Sequence, residues 1–227
     1  MKSKVLPSFH VQPISVLDVA VQRLREAIML GQLPPGQRLV EGDLAQQMGI
    51  SRPTLREALR RLEAQQLVVL IPNRGAHIAT LGPEDVAEIR DVWKILTGEV
   101  VARFATRGSA EDFVKLKSML SVVAGAAQKG DALPLLAATN DFFTVILTGS
   151  GNRTFADFIC IMAGRINFLR SQSLSDRVHR REHVSQLRTT VDHIIARQPK
   201  AARAAIEAHI EYACDGALKQ SKRKLVA

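Results

Sequence analysis

The stretch GISRPTLREALRRLEAQQLV, Gly49–Val68, sets a proline near the start of what otherwise reads as a basic amphipathic helix. Ser51 is a good N-cap, so Pro53 falls in the first turn, where an amide has no intrahelical partner to lose. The proline therefore marks a helix start. Leu55, Leu59 and Leu62 then form one stripe and Arg52, Arg56 and Arg60 another, with Arg61 beside them. Leucine on one side and arginine on the other fits a helix that rests on a core and faces a polyanion.

The flanking sequence supplies the setting. Upstream, Ser15 with Asp18 is an N-cap signature, Leu17, Val21, Leu24 and Ile28 follow at helical spacing, and Gly31 stops the run. QLPPGQRL, Gln32–Leu39, is a turn, and a short helix is expected around Asp43 to Met48, with Leu44 and Met48 on one face and Gly49 breaking it. Downstream, LVVLIPNRGAHIAT, Leu67–Thr80, is β-branched and apolar around Pro72-Asn73-Arg74-Gly75, which predicts a two-stranded hairpin. Three short helices followed by a hairpin form the winged helix-turn-helix pattern. In it the second helix of the pair enters the major groove. Arg52 and Arg56 then reach base edges, Ser51 and Thr54 suit phosphate oxygens, Arg60 and Arg61 lie further along, near the backbone, and Arg74 can enter a minor groove where Gly75 permits close approach.

The bulk properties agree without deciding. The 227 residues carry a net charge of +9 and are 46% hydrophobic but only 4% aromatic, which favours helices and a polyanionic partner. Residues 1–80 hold 10 Lys/Arg against 6 Asp/Glu and the remainder 21 against 16, so placement rather than total charge carries the argument. Cys160 and Cys214 have neither metal-type nor disulfide-type spacing and read as free thiols in a reducing cytosol. MKSKVLPSFHVQPI, residues 1–14, lacks the apolar run of a signal peptide, and no later run reads as long enough to span a membrane, so a cytoplasmic protein is expected.

From Pro83 the periodicity is helical almost throughout: Val86, Ile89, Trp93, Leu96, Val100 and Phe104 recur at spacings of three and four. Further helices are expected from about Ala110 to Gln128, Ala132 to Thr148, Thr154 to Ser171, Glu182 to Arg197 and Lys200 to Lys219. The fold class is mainly α, an N-terminal winged helix-turn-helix followed by an antiparallel all-helical bundle. The expected divisions are a flexible arm over 1–12, a DNA-binding domain over 13–81, a helical domain over 82–220 and a basic tail over 221–227.

These residues carry a family resemblance. Gly31, Leu33, Pro35, Gly36, Leu39, Glu41, Leu44, Ala45, Gly49, Ser51, Arg52, Arg56, Glu57, Ala58, Leu59 and Leu62 match the pattern of the GntR-type bacterial transcription regulators. The resemblance implies that Arg52 and Arg56 read bases and that Thr54 binds phosphate. Three positions depart from the pattern: the usual Thr-Pro is inverted as Pro53-Thr54, the usual Glu-Gly before Leu67 is Gln65-Gln66, and Gly42 stands where some members carry a base-reading arginine. The helical domain resembles that of the FadR-type branch, the FCD domain, through Arg90, VVARFAT, NDFFTVILTGSGN and AARAAIEAHI. That likeness implies dimerisation and a bound effector.

Many members of that branch hold a divalent metal with an Asp, a His four residues later and two further His. Those positions fall at Thr139, Phe143, Leu187 and His209, so three of four ligands are missing and no metal cofactor is expected. A rearranged set would be Asp141, His183 and His209; otherwise His209 is a core histidine. Arg90, in register with Val86 and Trp93, reads as core-facing and in need of an anionic partner, either a structural carboxylate or a carboxylate effector. Asn140, Arg165 and His183 are its candidate pocket neighbours, with His209 close by and Trp93 and Phe143 as walls.

The function expected is a dimeric repressor on a palindromic, double-stranded DNA operator, modulated by a small organic acid. The alternative is a DNA-binding dimer whose helical domain only dimerises, its pocket closed by Phe143, Leu187 and Trp93. No G-x-S-x-G, Walker loop or H-E-x-x-H is present, so an enzyme is not expected.

Overall fold

The computed structural model describes residues 15–30 and 32–226, with side chains through Gln220. The expected arm, residues 1–12, and the helix stop at Gly31 lie outside the described residues. Among the described residues the chain forms nine helices and one small sheet.

The winged part begins with α1 (Val16–Met29), where the Ser15 hydroxyl accepts from the Asp18 amide at 3.1 Å and the Asp18 carboxylate accepts from the Ser15 amide at 3.3 Å. α2 (Glu41–Met48) starts two residues before the expected Asp43 and ends at Gly49, whose φ of 65° is left-handed. α3 (Arg52–Ala64) is capped by Ser51, with Pro53 in its first turn, and buries Leu55, Ala58, Leu59 and Leu62 against α1 and α2. Full burial of a leucine contributes about 1.5–3 kcal/mol. This stripe therefore anchors the helix while its arginine face stays in solvent.

The wing is larger than the two-stranded hairpin expected. β2 (Val68–Ile71) and β3 (Gly75–Ile78) pair antiparallel, and β1 (Arg38–Leu39) adds to the other edge of β3, in the order β1-β3-β2. A two-residue strand has no alternation to read in sequence. The Pro34-Pro35-Gly36 turn delivers it, and the Gly36 amide donates to the Ile78 carbonyl at 3.0 Å.

The second part packs α4 (Pro83–Arg107), α5 (Ala110–Lys129), α6 (Ala132–Gly149), α7 (Arg153–Leu174), α8 (Arg177–Ile195) and α9 (Pro199–Val226) into one bundle. Asp85 caps α4 by accepting from the Gly82 amide at 2.8 Å. α9 lies against α4, α7 and α8, and its backbone helix runs through KQSKRK to Val226, where a tail was expected from residue 221. The last turns of α7 are buried all round, from Phe168 to Leu174, which makes that segment the centre of the bundle.

α6 has 18 residues at a hydropathy of 1.3, enough by length and composition to cross a membrane, although no such run was expected. Here it buries Leu135, Leu136, Thr139, Phe142 and Ile146 against α4, α5 and α7, as the core helix of a bundle does.

Candidate nucleic-acid interface and ligand cavity

Ser51 and Thr54 form the leading edge of α3. The Ser51 hydroxyl accepts from the Thr54 amide at 3.2 Å and lies 2.8 Å from the Thr54 hydroxyl. Both oxygens sit at a helix N-terminus, where the dipole and free amides favour a phosphate. Arg52 lies over α2, and a Cβ on Gly42 would be 3.4 Å from its guanidinium, so the missing side chain gives Arg52 its room. Arg56 Nε donates to Glu41 Oε2 at 2.7 Å, while the side chain as a whole stays 64% exposed on the face of α3. Arg60 is exposed, 3.9 Å from Glu57, whereas Arg61 turns back to Asp18 on α1 at 2.7 Å.

At the wing tip Asn73 and Gly75 take φ of 61° and 84°, conformations natural to Asn and Gly. Arg74 stands exposed between them, its amide held by the Ile71 carbonyl at 3.0 Å. Exposed Arg38, opposite His77 on β1, is a further wing cation; it was missed because its strand was not foreseen.

A cavity of about 270 Å³ opens among α4, α6 and α7. Trp93, Thr97 and Val100 come from α4, Asn140, Phe143 and Leu147 from α6, and Ala163, Ile166, Asn167 and Arg170 from the inner face of α7. Its one charge is Arg170, which is 4% exposed. Arg170 Nη1 donates to Asn140 Oδ1 at 3.0 Å and to Asn167 Oδ1 at 3.1 Å. Its guanidinium carbon lies 5.0 Å from the Phe143 ring centre and 5.4 Å from that of Trp93, within cation–π range. Burial pushes its pKa down to about 10, which leaves it protonated at neutral pH.

The sequence had assigned the core-facing cation to Arg90. Arg90 is instead about one-third exposed and 3.8 Å from Asp91, and it does not line the cavity. Val86 and Trp93 are buried, but a long arginine one helical turn from Val86 reaches back to water by extending its stem. Arg165 does not line the cavity either, and its Nε is buried without a hydrogen-bond partner. Arg170 is readable in retrospect, since it falls in helical register with Ala163, Ile166 and Asn167.

His183 and His209 lie behind the cavity, their ring centres 4.8 Å apart. The Thr139 hydroxyl donates to the Leu135 carbonyl at 2.7 Å, so it accepts from His183 Nε2 at 3.2 Å. His209 Nδ1 meets Gln186 Oε1 at 3.0 Å, while its Nε2 has no partner. Burial pushes both pKa values down, to about 3 for His209, and the nearby positive charge of Arg170 acts the same way; for His183 its neighbour His209 adds to the effect. The rearranged metal set does not assemble. Asp141 is exposed, two positions round α6 from Thr139, and among the described residues no group of three or more His, Cys, Asp or Glu could hold a metal ion. Leu187 is fully buried in the core. Both cysteines are free, Cys160 exposed at the cavity and Cys214 buried, its pKa pushed up to about 12 by burial.

The two parts meet at the end of the recognition helix. A Cβ on Gly164 of α7 would lie 2.7 Å from the backbone oxygen of Gln65, the C-cap of α3. From α1, Arg25 donates to Gln65 Oε1 at 3.0 and 3.2 Å. A cleft lined by Arg25, Gln65, Asn140, Gly164 and Asn167 opens at this junction, so Asn140 and Asn167 face both the cleft and the ligand cavity.

Comparison with known proteins places both parts of the chain in known families. Residues 18–78 match the bacterial regulatory proteins of the gntR family, and residues 88–212 match the FCD domain. The chain is 32% identical over 130 residues to an uncharacterised HTH-type transcriptional regulator of Agrobacterium vitis, covering 56% of this chain and 75% of that one. It is 25% identical over 195 residues to the uncharacterised HTH-type transcriptional regulator YdhC of Bacillus subtilis, covering 85% and 87%. Among solved structures, E. coli McbR/YncC has a similar fold, with a TM-score of 0.70 at 21% identity over 88% of this chain and 95% of that one. A GntR-type chain from Rhodococcus sp. RHA1 gives a TM-score of 0.74 at 20% identity, covering 89% and 97%. With both domains matched in order and over most of its length, the chain belongs to the gntR family of bacterial regulatory proteins and is a DNA-binding transcriptional regulator with an FCD domain, not an enzyme.

Proposed function

We propose that the chain is a cytoplasmic homodimeric repressor that binds a palindromic operator and is modulated by a small organic acid seated among α4, α6 and α7. Residues 13–81 serve as the DNA-binding domain and 82–220 as the effector and dimerisation domain. Arg52 and Arg56 read bases, Ser51 and Thr54 hold phosphate, and Arg60, Arg74 and Gly75 complete the contact with the duplex. Two copies related by a twofold axis match the symmetry of a palindrome. Phe158 and Ile161, one turn apart on α7 and 54% and 76% exposed, offer apolar surface for a second copy.

The observation that carries the reading is the double duty of α7. Ala163, Asn167 and Arg170 line the cavity, while Gly164 among them rests on the end of the recognition helix. A ligand that displaces α7 therefore moves the backbone that α3 is docked on, with no loop between the two. The cavity itself favours this reading over a helical domain that only dimerises, since Trp93 and Phe143 line an open space instead of closing it.

Two measurements test the proposal. Native mass spectrometry of the purified protein should give a dimer mass, and a monomer both on and off DNA would refute the twofold arrangement. Fluorescence anisotropy of an operator selected from random DNA should change with a panel of small carboxylates. Indifference to every acid would leave only the dimerisation role.

A further inference from the structure

The FCD resemblance raises the question of a metal ion, and the residues present do not fit one. Zn²⁺ needs about four donors. Here Phe143 offers a ring, Thr139 a neutral hydroxyl, and His183 Nε2 carries a proton directed at Thr139. The nearby charge that acts on both His183 and His209 is Arg170, a cation and not a carboxylate. A dication placed here would meet the fixed positive charge of Arg170, and among the described residues no group of three or more His, Cys, Asp or Glu could hold it.

Arg170 is itself the anomaly. A buried charge is ordinarily paired, because desolvation costs several kcal/mol or more. Among the described residues no carboxylate forms an ion pair with it. Its Nη1 is taken by two neutral amide oxygens and its Nε has no partner. With Nη1 occupied and Nε enclosed, Nη2 is the nitrogen left to donate a charge-assisted hydrogen bond to a carboxylate oxygen. Beyond the guanidinium the cavity wall is mostly apolar, with Val100, Leu147, Ile159, Ala163 and Ile166; it also carries the hydroxyls of Thr97 and Thr144 but no second cation.

We propose that Arg170 is the counter-ion for a monocarboxylate with an apolar body, bound in this cavity without any metal ion. Deepening the effector reading above, this inference rests on that cavity being the effector site. The headgroup pairs with Arg170 and removes the uncompensated charge. The body lies along Trp93, Phe143 and the aliphatic wall. A second carboxylate would be stranded against that wall with no cation to meet it, so dicarboxylates are rejected.

Trp93 is the chain's one tryptophan and stacks on Arg170, so its fluorescence reports occupancy directly. The full-length protein, dialysed against EDTA, is titrated with hexanoate and benzoate, with their amides hexanamide and benzamide, and with adipate, while operator anisotropy is followed in parallel. Saturable quenching by the monocarboxylates is expected, about 10-fold or more tighter than by the amides or adipate, as a charge-assisted pair implies. Arg170→Gln should abolish the acid preference and Arg170→Lys retain part of it. Because the acid–amide comparison uses the unaltered protein, it stands even if the variants fold poorly. Equal binding of acid and amide, binding that appears only on adding Zn²⁺ or Mn²⁺, or no saturable change at millimolar acid would each overturn the proposal. Acid binding without a change in operator affinity would keep the ligand class and refute the effector reading. An operator response to the amides alone would do the reverse.

Discussion

The α-carbon of Gly164 stands so close to Gln65 that a methyl group placed on it would lie 2.7 Å from the Gln65 backbone oxygen. Gly164 is in the middle of a helix, where glycine is less favourable than alanine by about 1 kcal/mol, and the close approach explains its use there. Gly164→Ala should raise the helical domain's own stability slightly while forcing α7 off the end of α3. The change in operator affinity on adding an effector should then shrink, measured by anisotropy with and without ligand. Full retention of that change would show that the signal travels by another route.

The arginines of the reading surface should separate by role. Arg52→Ala should cut discrimination between operator and random DNA by about 1–3 kcal/mol, the worth of one bidentate base contact. Arg60→Ala and Arg74→Ala should weaken both DNAs alike and lower the salt dependence of binding by roughly one charge each. Competition titrations over a salt series distinguish the two patterns. Equal losses for operator and random DNA in Arg52→Ala would remove Arg52 from base reading.

Gln66 holds a φ of 57° where the family pattern carries glycine, and the turn it forms is otherwise regular, with its amide on the Glu63 carbonyl at 2.8 Å and that of Leu67 on the Leu62 carbonyl at 3.0 Å. A non-glycine residue in the left-handed region costs about 1–2 kcal/mol, and glycine gives back part of that in chain entropy. Gln66→Gly should therefore stabilise the winged domain by roughly 0.5–1 kcal/mol in urea unfolding. A lowered midpoint would mean that the Gln66 side chain contributes more than its backbone strain removes.

The winged domain was legible because its signals are local. Caps at Ser15 and Ser51, the glycine break at Gly49 and the leucine stripe of α3 each constrain a few neighbouring residues, and all agree. β1 was not legible, since two residues carry no period. The helices of the bundle could be placed from their apolar spacing, but which cation faces inward could not. Arg90 and Arg170 both sit in apolar register. The outcome depends on whether the stem reaches water: Arg90 does from α4, whereas Arg170 lies on the part of α7 enclosed by α4, α6 and α9. His183 stayed ambiguous for a similar reason, because a one-turn shift along α8 brings it to His209 in place of Leu187, and spacing alone does not distinguish adjacent turns.

The His183–His209 pair sets a pH limit on stability. Histidine has an unperturbed pKa of 6.5, and in the folded chain burial and the Arg170 charge push His209 down to about 3 and His183 well below its ordinary value. Below about pH 6.5 the unfolded chain takes up two protons that the folded chain refuses, so stability is complete above that pH and is lost as pH falls. Well inside the window each histidine contributes a slope of about 1.4 kcal/mol per pH unit. The hydrogen-bonded carboxylates of Asp112 and Asp176, whose pKa values are lowered, add their own loss only in more acidic solution, so the interval from pH 6.5 to 5 isolates the pair. The urea midpoint should fall steadily across that interval, and His209→Gln should remove about half of the slope while leaving Gln186 a polar partner. A halved slope in the unaltered protein would mean that one of the rings is charged in the folded state, and a flat profile that both are, which would require an anion beside them that the described residues do not supply.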